Sequence, residues 1–153
     1  VYALADADIS PSLKLRRDYD PSIPELMGDE NLFIQAILNI VKNAQQALGD
    51  IVNAEIKIKS RVQYSQPVNG TMHLTVCCIE IIDNGPGIPE EIQEHVFFPM
   101  ISSKEDGSGL GLSIAQDIIR VHGGGISFTS KPGQTVFSIH IPLNIKNTGE
   151  ESA

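Results

Sequence analysis

Between Asp29 and Gly49 the chain carries a helical repeat whose apolar arc is too wide for a helix lying against water. With successive residues about 100° apart, Ile34, Ile37, Val41, Ala44 and Leu48 mark the centre of the arc. Gln35, Asn39, Lys42, Asn43 and Gln46 share the polar remainder. Asp29 is placed to cap the first turn and Gly49 to stop the last. A helix this apolar has to lie on a sheet. Its polar edge is unusual, because a solvated edge favours Glu and Lys, whereas asparagine is a mediocre helix former. Asn39 and Asn43 stand together on that edge as an i, i+4 pair, beside the small residues Ala36 and Ala47. The edge is expected to face something other than open solvent.

The other periodicities supply the sheet. Residues 13–19 read as a first strand, after which Pro21 and Pro24 break the chain. Residues 55–62 alternate strictly, as a half-exposed strand does, and put Lys57, Lys59 and Arg61 on a solvated face. A loop around Pro67-Val68-Asn69-Gly70 leads to an apolar strand over 74–82. A short helix is expected over 90–95, entered through Pro89, then an aperiodic segment over 97–108. A helix over 110–121 would bury Leu112, Ala115, Ile118 and Ile119 and end at Gly123. Strands at 126–130 and 135–143 close the order, with Thr135, Phe137, Ile139 and Ile141 on one face. Hairpin connections dominate, which excludes an alternating parallel βαβ unit. The expected fold is α/β: a two-layer sandwich with a mixed, largely antiparallel sheet and helices on one face. Residues 1–11 read as the end of an upstream linker or dimerisation element, 12–143 as the folded domain, and 144–153 as a disordered polar tail.

A chain of 153 residues fits one domain and buries roughly 70% of its unfolded surface. No apolar run approaches the ~18 residues of a membrane span. The formal charge of −8 argues against nucleic acid as a partner, and any anionic ligand would need local positive potential to overcome the global field. Cys77 and Cys78 are adjacent in a strand pattern and point to opposite faces, so they are read as two buried, reduced thiols, suited to the cytoplasm.

Two glycine-rich segments follow the asparagine helix in fixed order. In Asp83-Asn84-Gly85-Pro86-Gly87, Asp83 ends an apolar strand and enters a glycine turn. A carboxylate there can accept from an exocyclic amine, which adenine offers at N6 where guanine has a carbonyl, and Gly85 and Gly87 allow close backbone approach to a base. The plainer alternative is an ordinary Asp-Asn-Gly turn. In Gly107-Ser108-Gly109-Leu110-Gly111-Leu112 the glycines run into a helix, so free amides and the positive helix end can hold a polyphosphate without many basic side chains. A Rossmann loop is disfavoured, since no strand immediately precedes it and no acid ends a strand about 20 residues on. Asn39 and Asn43 offer neutral oxygens to Mg²⁺ shared with phosphates, or simply bond a neighbouring loop. Lys104 is the best-placed cation for a terminal phosphate, or an exposed loop lysine. Thr135 faces the core, so its hydroxyl needs a partner, either beneath the base near Asp83 or in the backbone. The asparagine edge holds no carboxylate, so no general base for hydrolysis is in sight. His73, His95, His122 and His140 are all read as structural.

At this point the segments resemble a known family. Asn39-Ile40-Val41-Lys42-Asn43-Ala44 resembles the N box of sensor histidine kinases, and Asp83-Asn84-Gly85-Pro86-Gly87-Ile88-Pro89 their G1 box. Phe97-Phe98-Pro99-Met100 resembles the F box and residues 107–112 the G2 box. The resemblance implies the Bergerat ATP-binding fold shared with gyrase, Hsp90 and MutL ATPases, with ATP and Mg²⁺ as cofactors. It implies catalytic roles for Asn39, Asn43 and Lys104, with Asn43 and Asn39 on the metal. Nucleotide contacts would come from Asp83, Gly85, Gly87, Ile88, Lys104, Gly107, Ser108, Gly109, Leu110, Gly111, Leu112 and Thr135. In the hydrolases of the superfamily a glutamate stands where this chain has Asn39, in keeping with the missing base.

The stretches Arg17-Asp18-Tyr19-Asp20-Pro21-Ser22-Ile23-Pro24-Glu25-Leu26, Pro99-Met100-Ile101-Ser102 and Pro132-Gly133-Gln134-Thr135-Val136-Phe137-Ser138 are similar to the nitrogen-regulation branch of that family. So are Asn43-Ala44-Gln45-Gln46-Ala47-Leu48 and Ser113-Ile114-Ala115. That branch implies phosphorylation of a histidine on the kinase's own dimerisation domain, then transfer to an NtrC-type response regulator under control of a PII signal protein, in a full-length homodimer. Two departures stand out. Gln46 and Ala47 occupy the turn where many family members have Lys or Arg and then Tyr, which shifts weight to Lys104. No histidine is followed by an acid and a proline at the spacing of the family's H box, so the chain is expected to be the ATP-binding half of a longer kinase. The rival expectations are a self-contained ATPase and a non-catalytic docking module for PII or the regulator.

Overall fold

The computed structural model describes residues 12–99 and 111–143. Five strands form one sheet: β1 (Lys14–Tyr19), β2 (Glu55–Val68), β3 (Thr71–Asp83), β4 (Gly125–Lys131) and β5 (Gln134–Pro142). Their spatial order is β1-β2-β3-β5-β4, with β1 parallel to β2 and every other pairing antiparallel. Three helices are described: α1 (Glu30–Leu48), α2 (Glu90–Gln93) and α3 (Gly111–Val121). The expected mixed, largely antiparallel two-layer sandwich is the architecture observed.

The core lies between the sheet and the pair α1 and α3. Ile40 of α1, Ile119 of α3, and Ile56, Ile81, Phe137 and Ile139 of the sheet are fully buried there; each contributes about 1.5–3 kcal/mol by leaving water. The buried stripe of α1 is Ala36, Ile40, Val41, Ala44 and Leu48, while Ile34 and Ile37 are only partly covered. The centre of the apolar arc is thus rotated from the sequence expectation. Ala36 belongs to the core, not the polar edge, because α3 packs beside α1 as well as the sheet does and needs a small residue at the contact.

Asp29 caps α1 by accepting the Leu32 amide at 3.2 Å, and Gly49 closes it with a positive φ of 49°. Asp29→Ala should cost about 1 kcal/mol in urea unfolding; an unchanged midpoint would show the cap to be idle.

Several boundaries moved. Strand β2 runs six residues past Val62, through Ser65 with φ +52°. The loop foreseen at 67–70 contracts to the two-residue turn Asn69-Gly70, whose positive φ values of 50° and 81° match the twist of a hairpin. Helix α2 stops at Gln93, short of His95, with Pro89 at its cap. Lys57 and Arg61 are half-exposed, and both pair with Asp18, at 3.6 Å and 2.8 Å. Cys77 joins the helix-side core and Cys78 is buried on the opposite face; burial pushes both thiols up to about 11.

Candidate functional site

Strand β3 ends at Asp83, and everything after it is built to hold a tight loop. Asn84 anchors that loop to the start of β2: its Oδ1 accepts from the Glu55 amide at 2.8 Å and its Nδ2 donates to the Asn53 carbonyl at 2.8 Å. Asp83 is only 4% exposed. Its Oδ1 accepts from the Gly85 amide at 2.9 Å, and Oδ2 has no hydrogen-bond partner among the described residues. Burial raises the carboxyl above its ordinary range, with the Gly85 amide pulling the other way. A desolvated carboxylate with one oxygen in reserve is a strong acceptor for a neutral donor.

The β4–β5 turn closes over this loop. The Gly133 amide donates to the Gly85 carbonyl at 2.9 Å. Gly87 has φ +88° and lies so close to Lys131 that an added Cβ would stand 2.9 Å from its carbonyl carbon and oxygen. Thr135, buried at 3% exposure, is the register partner of Asp83 across β3 and β5. Its hydroxyl meets Ser130 Oγ at 2.8 Å, and Ser130 Oγ also accepts the Ile88 amide at 2.8 Å. The Thr135 hydroxyl is therefore satisfied by a side chain, not by the backbone bond weighed as its alternative. Sequence reading passed over Ser130. The signal was there: a two-residue Pro132-Gly133 turn pairs position 130 with position 135.

Helix α1 joins this loop to the start of α3. A methyl on Gly85 would stand 3.5 Å from Leu48 Cδ2 and 3.8 Å from the Ala47 carbonyl oxygen. Two turns earlier, Asn39 Nδ2 donates to the Gly111 carbonyl at 3.3 Å. Residues 39, 43 and 47 share one edge of α1, which at roughly 1.5 Å per residue covers about 12 Å between these contacts. Asp83, Gly85, Gly87, Ile88 and Thr135 thus cluster at one end of the edge, with Asn39 and Gly111 at the other and Asn43 between. Leu112 begins the buried face of α3. Lys104, Gly107, Ser108, Gly109 and Leu110 lie outside the described residues.

The donor set fits a hard divalent ion only if the ion is shared. The Asn39 Nδ2 is committed to Gly111, and neither Asn39 Oδ1 nor the Asn43 amide has a hydrogen-bond partner among the described residues. Those are two neutral oxygens, too few for Mg²⁺ without phosphates and water. Among the described residues no group of three or more His, Cys, Asp or Glu could hold a metal alone, and no helix is long and apolar enough to cross a membrane.

Residues 28–145 match the family described as histidine kinase-, DNA gyrase B- and HSP90-like ATPase. The sensory histidine kinase/phosphatase NtrB of Klebsiella oxytoca is 45% identical over 143 residues, 94% of this chain and 41% of the relative. NtrB of Rhodobacter capsulatus is 39% identical over 130 residues, 82% of this chain and 36% of the relative. The chain therefore spans about two fifths of the length of these curated relatives. Among solved structures, the nucleotide-free catalytic domain of histidine kinase ThkA superposes with a TM-score of 0.75 at 31% identity, covering 92% of this chain and 86% of that one. ThkA in complex with the response regulator TrrA gives a TM-score of 0.70 at 29% identity, covering 92% of this chain and 37% of that one. With the matched region running from before α1 to just past β5 and enclosing both ends of the α1 edge, the chain belongs to the histidine kinase-, DNA gyrase B- and HSP90-like ATPase family.

Proposed function

We propose that residues 12–143 are the ATP-binding catalytic domain of an NtrB-like sensor histidine kinase. On this reading the domain delivers the γ-phosphate of ATP to a histidine on a separate dimerisation domain, for relay to an NtrC-type response regulator. The observation that carries it is the α1 edge, with a buried acceptor at one end and the first turn of α3 at the other. An adenine nucleotide laid along it puts its base on Asp83 and its phosphates at the amides leading into α3. The carboxylate Oδ2 accepts from the exocyclic amine of adenine, a donor that guanine lacks. Asn43 and Asn39 share Mg²⁺ with the phosphates, and Lys104 with Gly107–Gly109 supplies the remaining contacts to the phosphate tail.

The α1 edge carries Asn39, Asn43 and Ala47 and no carboxylate, so this edge supplies no group to activate water. It favours holding ATP for transfer over hydrolysing it. Control by a PII protein and a homodimeric full-length kinase follow the NtrB resemblance; a cytoplasmic location, residues 1–11 as the end of an upstream linker or dimerisation element and 144–153 as a tail follow the sequence pattern, and all belong to the same proposal.

The test is complementation. This chain, a separately expressed NtrB-type histidine domain and γ-labelled ATP should give labelled histidine, while the chain alone releases almost no phosphate. Steady phosphate release by the chain alone would support a self-contained ATPase instead. Binding to the histidine domain, PII or regulator without transfer would make it a docking module.

A further inference from the structure

Helices α1 and α3 are tied at two places, and only one tie belongs to the site described above. At the far end, His122 follows the last residue of α3 and reaches the residue that caps α1. The Asp29 amide donates to His122 Nε2 at 3.1 Å, while Nδ1 lies 2.7 Å from the Ile118 carbonyl. An amide can only donate and a carbonyl can only accept, so Nδ1 carries the proton and Nε2 presents its lone pair. The ring packs on Phe33 of α1 with centroids 4.2 Å apart. Gly28 lies so close that an added Cβ would stand 2.5 Å from His122 Cδ2 and 2.6 Å from Phe33 Cε2. A fixed tautomer, a ring contact and a glycine that only an unsubstituted backbone fits are more than the end of α3 needs to terminate. Gly123, with φ +77° and its amide on Arg120, already does that.

We propose that His122 is a positioning residue for the nucleotide site: its Nε2 pins the C-terminal end of α3 to the N-terminal end of α1. Opposite it, Asn39, midway along α1, holds Gly111 at the N-terminal end of α3. Together the two ties hold the first turn of α3 at a set distance from Asn39 and Asn43. The inference rests on reading the α1 edge as the nucleotide site. Without the His122 tie the docked arrangement is populated a smaller fraction of the time, and apparent affinity falls by that fraction.

Two variants separate positioning from simple helix capping. H122Q keeps an acceptor at the ε position for the Asp29 amide and loses the δ donor. H122N keeps a δ donor for Ile118 and loses the reach to Asp29. In the 153-residue chain, Mg·ATP affinity measured by calorimetry should fall about tenfold in H122N, about one lost hydrogen bond's worth, and stay within about twofold of wild type in H122Q. H122F, which keeps the ring contact alone, should follow H122N. Amide exchange of Ala115 and Gln116, whose helical bonds close the first turn of α3, should quicken without nucleotide in H122N and H122F but not in H122Q. Equal behaviour of H122N and H122Q in that exchange overturns the positioning role, whether or not ATP binds. A wild-type chain that fails to bind ATP overturns the nucleotide reading instead and leaves the exchange result to decide the tie.

Discussion

Asp83→Asn should bind ATP about tenfold to a hundredfold more weakly, a loss of about 1.5–3 kcal/mol, while its fold becomes more stable than wild type at neutral pH. The two effects have one cause. Asp83 is buried with a single amide on its carboxylate, so the folded chain holds the charge less well than water does. Its pKa rises above the ordinary 3.8. Below that value the carboxyl is protonated in folded and unfolded chains alike, and the group costs nothing. As pH climbs through 3.8 the unfolded chain ionises first, so wild-type stability falls until the folded carboxyl has ionised too, and the penalty then persists. Asparagine never ionises and escapes it. Adenine, by donating to the carboxylate, repays part of that cost in wild type only. Urea unfolding should therefore favour the variant at neutral pH but not below the ordinary carboxylate range. Wild-type ATP affinity should also start to weaken on acidification at a higher pH than an ordinary carboxylate would produce. An Asp83→Asn chain with wild-type affinity by calorimetry would refute the adenine assignment.

Gly87→Ala should be strongly disruptive, because Gly87 combines a positive φ with a close backbone contact. At φ +88° any side chain is strained by about 1–2 kcal/mol. The new Cβ would also stand 2.9 Å from the Lys131 carbonyl and 3.2 Å from the Pro132 nitrogen, all backbone that cannot swing away. Forcing the β4–β5 turn off the loop adds about 1–3 kcal/mol of overpacking. The same displacement parts the Gly133 amide from Gly85 and shifts the loop that positions Asp83, so nucleotide binding should be lost along with stability. Gly70→Ala is the control. Its φ is +81° and nothing lies within 4 Å of the new methyl, so it should show the backbone strain alone. If the two variants unfold at the same urea concentration, the contact between loop and turn carries no weight.

The elements were legible because their signals are local. Alternation marked β2 and β5, an apolar run marked β3, the apolar arc and Asp29 cap marked α1, and Gly123 marked the end of α3. The segments Asp83–Gly87 and Asn39–Asn43 were legible as chemistry because carboxylate, glycine and paired asparagines are poor choices for their positions unless something is bound there. Boundaries were less legible where tertiary pairing overrode composition. Strand β2 outran its alternation to Val68 because β3 lies alongside to receive its hydrogen bonds, and the arc of α1 turned toward α3 because a second helix claimed part of its surface.

By itself, the order of residues determined the class of fold, the helix edge with two asparagines and the acid at the end of an apolar strand, all of which depend on spacing over a few residues. Only tertiary structure decided that Asn39 touches Gly111, that Ser130 accepts the Ile88 amide, and that His122 reaches Asp29 across 93 positions. Those contacts join residues far apart in the chain, and their geometry is set by how the helices and strands pack, which no local pattern encodes.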